Sequence, residues 1–250
     1  METWFVVLST QASDTVGSMK REKRRWTTTL AEPIPAGPQG QPAHAAGAQV
    51  AVTHLVFLPE AGAVSMTVPR PSVLLLEAAE AHAKRATRLR KQLPNQTKHG
   101  RWVQPGHELH FSNEELVYDY FQDAMAAVLL LHTALDNFAN ELLPENVVLN
   151  DSAGNPVDRA QIESTWGLRR RLDLVLPAVT GKASLQVAQP SAWASLMVLK
   201  DLRDDIGHIH REASFTRPDE DLNSSIFSRL LAQDLIALLK VTEEAMEYYG

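Results

Sequence analysis

Between Leu199 and Glu212 the chain reads LKDLRDDIGHIHRE, and the eight positions from Arg203 to His210 hold an arginine, two aspartates, a glycine and two histidines. A helix that only fills a core has no need of them. Four residues separate Arg203 from His208. A guanidinium is permanently charged and forked, which suits it to phosphate oxygens. An imidazole gives and takes protons near neutrality. Together they suit metal-free phosphodiester cleavage: a 2′-hydroxyl attacks, His208 moves protons, and Arg203 stabilises the charge that develops. The plainer alternative is an Arg–Asp pair on a helix surface with a partly buried histidine.

Three other groups invite chemistry and carry less of it. HELH, His107 to His110, falls short of a metalloprotease signature. That signature needs histidines four apart on a helix, so that both reach one zinc. Here they are three apart, in a Pro-Gly linker. His208 and His210 are two apart and would point about 200° away from each other on a helix, so one metal cannot easily take both. No metal and no cofactor is expected. The third group is basic: Lys84, Arg85, Arg88, Arg90, Lys91, Lys98 and Arg101, with no acid between residues 82 and 101. Lys84, Arg88 and Lys91 share one helical face. This pattern fits first a solvated surface; the sharper reading is phosphate contact with nucleic acid.

The elements that must position these residues change character along the chain. WFVVLS, RRWTTTL, VAVTHLVFL and AVSMTV are strand-like, and PEAG joins the last two as a hairpin. A Pro/Gly/Ala-rich loop, residues 31–48, interrupts them. From Ser72 the period becomes helical. SVLLLEAAEAHAKRATRLRKQL stops at Pro94, and QTKHGRWVQPG follows as a linker. Ser112 with Glu115 offers a capping box for a long helix. Its apolar stripe runs Leu116, Tyr120, Ala124, Val128, Leu131, Leu135, Phe138 and Leu142, and Pro144 ends it.

NVVLNDSAGNPVD reads as a small hairpin, and Asp158 with Gln161 as another N-cap. RAQIESTWGLRRRLDLVLPAV is a broken helix closed by Gly181. A helix from Ser191 carries the Arg203 stretch, and one last helix spans residues 220–249. The expected fold is mainly α: a small β-rich N-terminal region over residues 1–70, a basic helix and linker over 71–111, and an antiparallel helical bundle over 112–250.

Composition sets the outer bounds. The 250 residues are 44% hydrophobic and 22% charged, as in a folded domain. With no cysteine, disulfides and thiolate metal sites are excluded. The apolar run Trp4 to Leu8 reads as a strand, not a signal peptide, and AMAAVLLL is too short to span a bilayer. A soluble cytoplasmic protein with no membrane association is expected. The net charge is −6, yet the first 101 residues hold 13 of the 24 Lys and Arg and only 7 of the 30 Asp and Glu. A basic N-terminal part beside an acidic C-terminal part leaves a nucleic-acid partner open.

Arg203-Asp204-Asp205-Ile206-Gly207-His208, near the end of a helix led by PSAWASLMVLKDL, resembles the signature of the HEPN superfamily: Arg, four to six residues, then His, with a polar residue after the Arg. LLHTALDNFANELL, with Asp136, Asn137, Asn140 and Glu141, resembles that family's earlier core helix. The resemblance covers residues 112–250. It implies a HEPN-like bundle that dimerises around the motif helix, with Arg203 and His208 catalytic, Asp204 positioning them, and Asp136, Asn140 and Glu141 on the groove wall.

It also implies a metal-independent endoribonuclease acting on RNA, as in toxins of toxin–antitoxin pairs or phage defence, with an antitoxin or defence-complex partner. Lys84, Arg88 and Lys91 would bind the RNA. Other members are non-catalytic interaction or regulatory modules, and a nucleotide-binding subunit is a third class. Geometry bears on the dimer separately. Arg203 and His208 lie about 140° apart on an ideal helix, whereas Asp204 and His208 share a face. Two copies crossing at a two-fold axis pool Arg from one with His from the other.

Overall fold

A computed structural model describes residues 27–29, 43, 45, 49–51, 53–58, 62–67, 69–93, 113–207 and 226–250. They belong to two units, Met1–Leu74 and Leu75–Gly250. The boundary falls inside the first helix. Most of the basic helix therefore belongs with the bundle that follows it.

In the first unit β1 (Thr27–Thr29) pairs antiparallel with β2 (Gln49–Ala51). The expected hairpin is β3 (Thr53–Leu58) on β4 (Gly62–Thr67), with Leu58 opposite Gly62. Gly62 sits at φ +70°, a left-handed conformation that glycine adopts without a Cβ clash. PEAG thus ends on the residue able to close its turn. The expected WFVVLS strand and most of the Pro/Gly/Ala loop lie outside the described residues.

The second unit is mainly helical. Its elements are α1 (Pro71–Gln92), α2 (Glu114–Glu141), the hairpin β5 (Val148–Asn150) and β6 (Pro156–Asp158), α3 (Arg159–Thr165), α4 (Leu168–Arg170), a π-helical turn (Arg171–Val175), α5 (Leu176–Thr180), α6 (Leu185–Ala188), α7 (Pro190–Gly207), α8 (Ile226–Ala232) and α9 (Leu235–Tyr249). α2 packs on both α7 and α9. Tyr120, Ala124, Val128, Leu131, Leu135 and Phe138 of the expected stripe are all buried, as are Leu196, Leu199 and Leu202 of α7. α1 buries Ala79, Ala83 and Ala86 in the same core. No described helix is long and apolar enough to cross a membrane.

Two helix boundaries depart from the sequence expectation. α2 is capped by Asn113, whose side chain accepts from the Leu116 N–H at 3.0 Å. Ser112, the expected cap, lies outside the described residues. The expected single helix over 220–249 is broken at Gln233–Asp234 into α8 and α9. There the Asp234 carboxylate accepts from the Ile236 and Ala237 N–H groups, both at 3.0 Å, and starts a new helix. The Asp158–Gln161 capping box forms as expected.

The broken segment after Trp166 has an identifiable cause. Pro177 has no N–H to donate, so a regular ladder cannot run through it. The Leu176 N–H instead reaches back five residues to the Arg171 carbonyl, widening one turn to π. In that register the Leu172 carbonyl would need the missing Pro177 N–H. The buried Tyr249 hydroxyl donates to it at 2.8 Å and accepts from the Leu185 N–H at 3.0 Å. Burial pushes the Tyr249 pKa up, so the hydroxyl keeps its proton. Gly181, at φ +70°, closes the segment as expected.

Tyr249→Phe should therefore cost about 1–3 kcal/mol of stability, because it strands a carbonyl and an N–H in the core. Denaturant unfolding measures it. A loss below about 0.5 kcal/mol, the scatter of ordinary surface changes, would mean that other groups take over both bonds.

Candidate functional site

His132, Asp136 and Asn140 follow one another at four-residue steps along α2 and so share a face. Against that face comes the π turn. Leu168, Leu172 and Val175 point inward and are buried, and Arg171, spaced among them, is buried with them at 4% exposure. A buried charge must be paired. Arg171 donates from Nη1 to the Asn140 amide oxygen and from Nη2 to an Asp136 carboxylate oxygen. Its buried Nε has no partner among the described residues.

His132 lies one turn before Asp136 on the same face of α2. It is 8% exposed. Burial drives its pKa below the ordinary value and the nearby Arg203 charge pushes the same way, while Asp136 and Asp204 pull less strongly upward. His132 is therefore neutral at pH 7.

On α7, Arg203 Nη1 donates to one Asp204 oxygen at 2.9 Å, and Lys200 Nζ donates to the other at 2.7 Å. Partial burial alone would raise the Asp204 pKa. The hydrogen bonds and charges of Lys200 and Arg203 outweigh it and hold the carboxyl below its usual range. The Arg203 side chain remains 44% exposed. Asp205 accepts from Arg229 and so ties the end of α7 to α8. The description of α7 ends at Gly207, so His208 and His210 lie outside the described residues. So do His107 to His110, Lys98 and Arg101.

Arg203 and Asp204 are paired on α7, and both act electrostatically on His132 of α2. Asp136 and Asn140, expected on the groove wall, face the π turn. Both are engaged by Arg171, so they hold a buried cation. Glu141 lies one residue further along α2, half-buried.

Three participants were not expected: Arg171, His132 and Lys200. Each left a signal. Arg171 alone of its arginine run falls at inward spacing with Leu168 and Val175, His132 interrupts an apolar run, and Lys200 stands four residues before Asp204.

The basic face of α1 is exposed at Lys84, Arg88 and Lys91. Lys84 pairs with Glu80 at 2.8 Å. Arg85, off that face, pairs with Asp123 at 2.9 Å. Lys91 and Arg90 line a cavity of about 520 Å³ with Tyr120 and the start of α9. Among the described residues, no cluster of His, Asp or Glu is placed to hold a metal ion. No family model matches the chain, and neither a curated protein nor a solved structure does.

Proposed function

We propose that the protein is a HEPN-type, metal-independent endoribonuclease that cleaves RNA phosphodiesters, with Arg203 and His208 as the catalytic pair. The observation that supports it most is the setting of Arg203. Its guanidinium is partly exposed, held from one side by Asp204, and near enough to α2 to act electrostatically on the buried His132. An oriented cation is what a phosphoryl transition state needs. His208 follows in sequence as proton donor and acceptor.

The dimer belongs to the same proposal, because the 140° separation leaves one helix without a complete clamp. A toxin or phage-defence effector is the role that the HEPN resemblance implies for such an activity. The test is cleavage of RNA in EDTA by wild type and His208→Ala. Cleavage by the first and none by the second is the expected result.

One observation favours a second reading. Asp204 takes hydrogen bonds from both Arg203 and Lys200, so the cations of the motif are partly neutralised. A non-catalytic interaction or regulatory module fits that arrangement. It predicts no cleavage by wild-type protein under any metal-free condition.

α1 enters this proposal as an affinity element. Changing Lys84, Arg88 and Lys91 to Glu should weaken RNA binding and flatten its dependence on salt, because each lost phosphate contact removes about one released counterion from the slope. Titrations at several salt concentrations measure both. An unchanged affinity and slope would make this face a solvated surface only.

A further inference from the structure

Beside the motif helix lies a cavity of about 340 Å³, lined by Arg169, Arg170, Asp173, Leu174 and Lys200 among others. Three of these side chains are cationic and one is acidic. Lys200 connects the cavity to the motif, since its ammonium also holds Asp204 at 2.7 Å. Arg170 is constrained: its guanidinium carbon lies 3.6 Å from the centroid of the Trp166 ring. Trp166 itself is only 5% exposed. A buried indole thus fixes the plane of a partly exposed guanidinium. Leu174 is an apolar side chain left 51% exposed at the same cavity. Arg169 is exposed and has no ion-pair partner among the described residues.

A planar cation with one face on an aromatic ring offers its second face for stacking, and single-stranded RNA bases stack on arginine planes as they do on aromatic rings. The volume is at the small end of ligand sites, which suits a single nucleotide. Both cations without an aromatic partner, Arg169 and Lys200, suit a phosphate. Asp173 contributes acceptors only. We infer that this cavity holds one nucleotide of single-stranded RNA next to the cleaved phosphate. Its base lies between Arg170 and Leu174 and its phosphate against Arg169 and Lys200. The carboxylate of Asp173 favours a base with an exocyclic amino group, cytosine over uracil. This rests on the RNA-cleaving reading above and adds to it a base-holding subsite with a preference.

The experiment is fluorescence anisotropy of the full chain with labelled 2′-O-methyl oligonucleotides, one all-cytosine and one all-uracil, which bind without being cut. Wild type should bind both and prefer cytosine. Arg170→Ala should weaken binding roughly 5- to 100-fold, the range for losing one stacked base. Arg170→Lys should not restore it, because an ammonium keeps the charge and loses the plane.

Leu174→Glu serves as a second variant at an exposed position, independent of the Trp166 contact. It should also weaken binding. Asp173→Asn should reduce the preference for cytosine. Full recovery by Arg170→Lys would overturn stacking. Wild-type affinity in both Arg170→Ala and Leu174→Glu would overturn the subsite while the RNA reading stands. If wild type binds neither oligonucleotide, the RNA reading falls and the subsite falls with it.

Discussion

Arg171→Met should lower stability by about 3 kcal/mol, at the low end for breaking a buried ion pair. The guanidinium is buried and binds Asp136 and Asn140 through two separate nitrogens. Removing it leaves a carboxylate and an amide without the donor that held them. The Asp136 side chain is 32% exposed, so water recovers part of the loss and the cost stays below the upper end of that range. In a protein of this size the melting temperature should fall by about 6–12 °C.

A compensating set separates the pair from its surroundings. Arg171→Met combined with Asp136→Leu and Asn140→Leu should regain most of the stability, because an apolar cluster needs no counter-charge. The orphaned Nε of Arg171 adds to that expectation, since the triple variant also removes an unsatisfied donor. Urea unfolding of the single and triple variants measures both effects. A single variant within about 0.5 kcal/mol of wild type would show that the contact does not hold α2 to the π turn.

That contact also shows where sequence reasoning stops. Asp136 and Asn140 stood out because polar residues interrupt an apolar stripe. What they meet was not legible, since Arg171 lies more than 30 residues away and no local rule pairs them. Local rules did well where the chemistry is local. The Asp158–Gln161 box, the β3–β4 and β5–β6 hairpins, and the break closed by Gly181 all depend on groups within a few residues of one another.

The break between α8 and α9 was missed for a related reason. Ile226, Leu230, Leu235 and Leu238 stay near helical spacing across it, so periodicity does not register two non-helical residues. The cap-forming Asp234 was the available signal. At the candidate site, the Arg203–Asp204 pairing was legible because the two are neighbours in sequence. Their coupling to His132 was not, because it depends on the packing of α7 against α2.

His208→Ala should reduce RNA cleavage by about 10²- to 10⁴-fold, the usual contribution of a general acid or base. In the proposed step a base takes the proton of the 2′-hydroxyl, its oxygen bonds to phosphorus, and the bond to the departing 5′-oxygen breaks as that oxygen gains a proton. The products carry 2′,3′-cyclic phosphate and 5′-hydroxyl ends, and a 2′-deoxyribose at the cut should block the reaction. Arg203→Ala should be comparably inactive, because the negative charge on the phosphoryl oxygens then has no forked donor. Its fold should survive, since the side chain is 44% exposed and its charge is met by a neighbour on the same helix. Arg203→Lys should recover little, as an ammonium cannot reproduce two parallel donors. His210→Ala is the control: two residues from His208, it would face the other way on an ideal helix and should matter far less. Cleavage of a single defined RNA in EDTA, followed by end-group analysis, reads all of these at once. If purified wild-type protein cuts no RNA, while His208→Ala and Arg203→Ala both melt several degrees lower, the pair braces the helix, and the interaction-module reading takes the place of the enzyme.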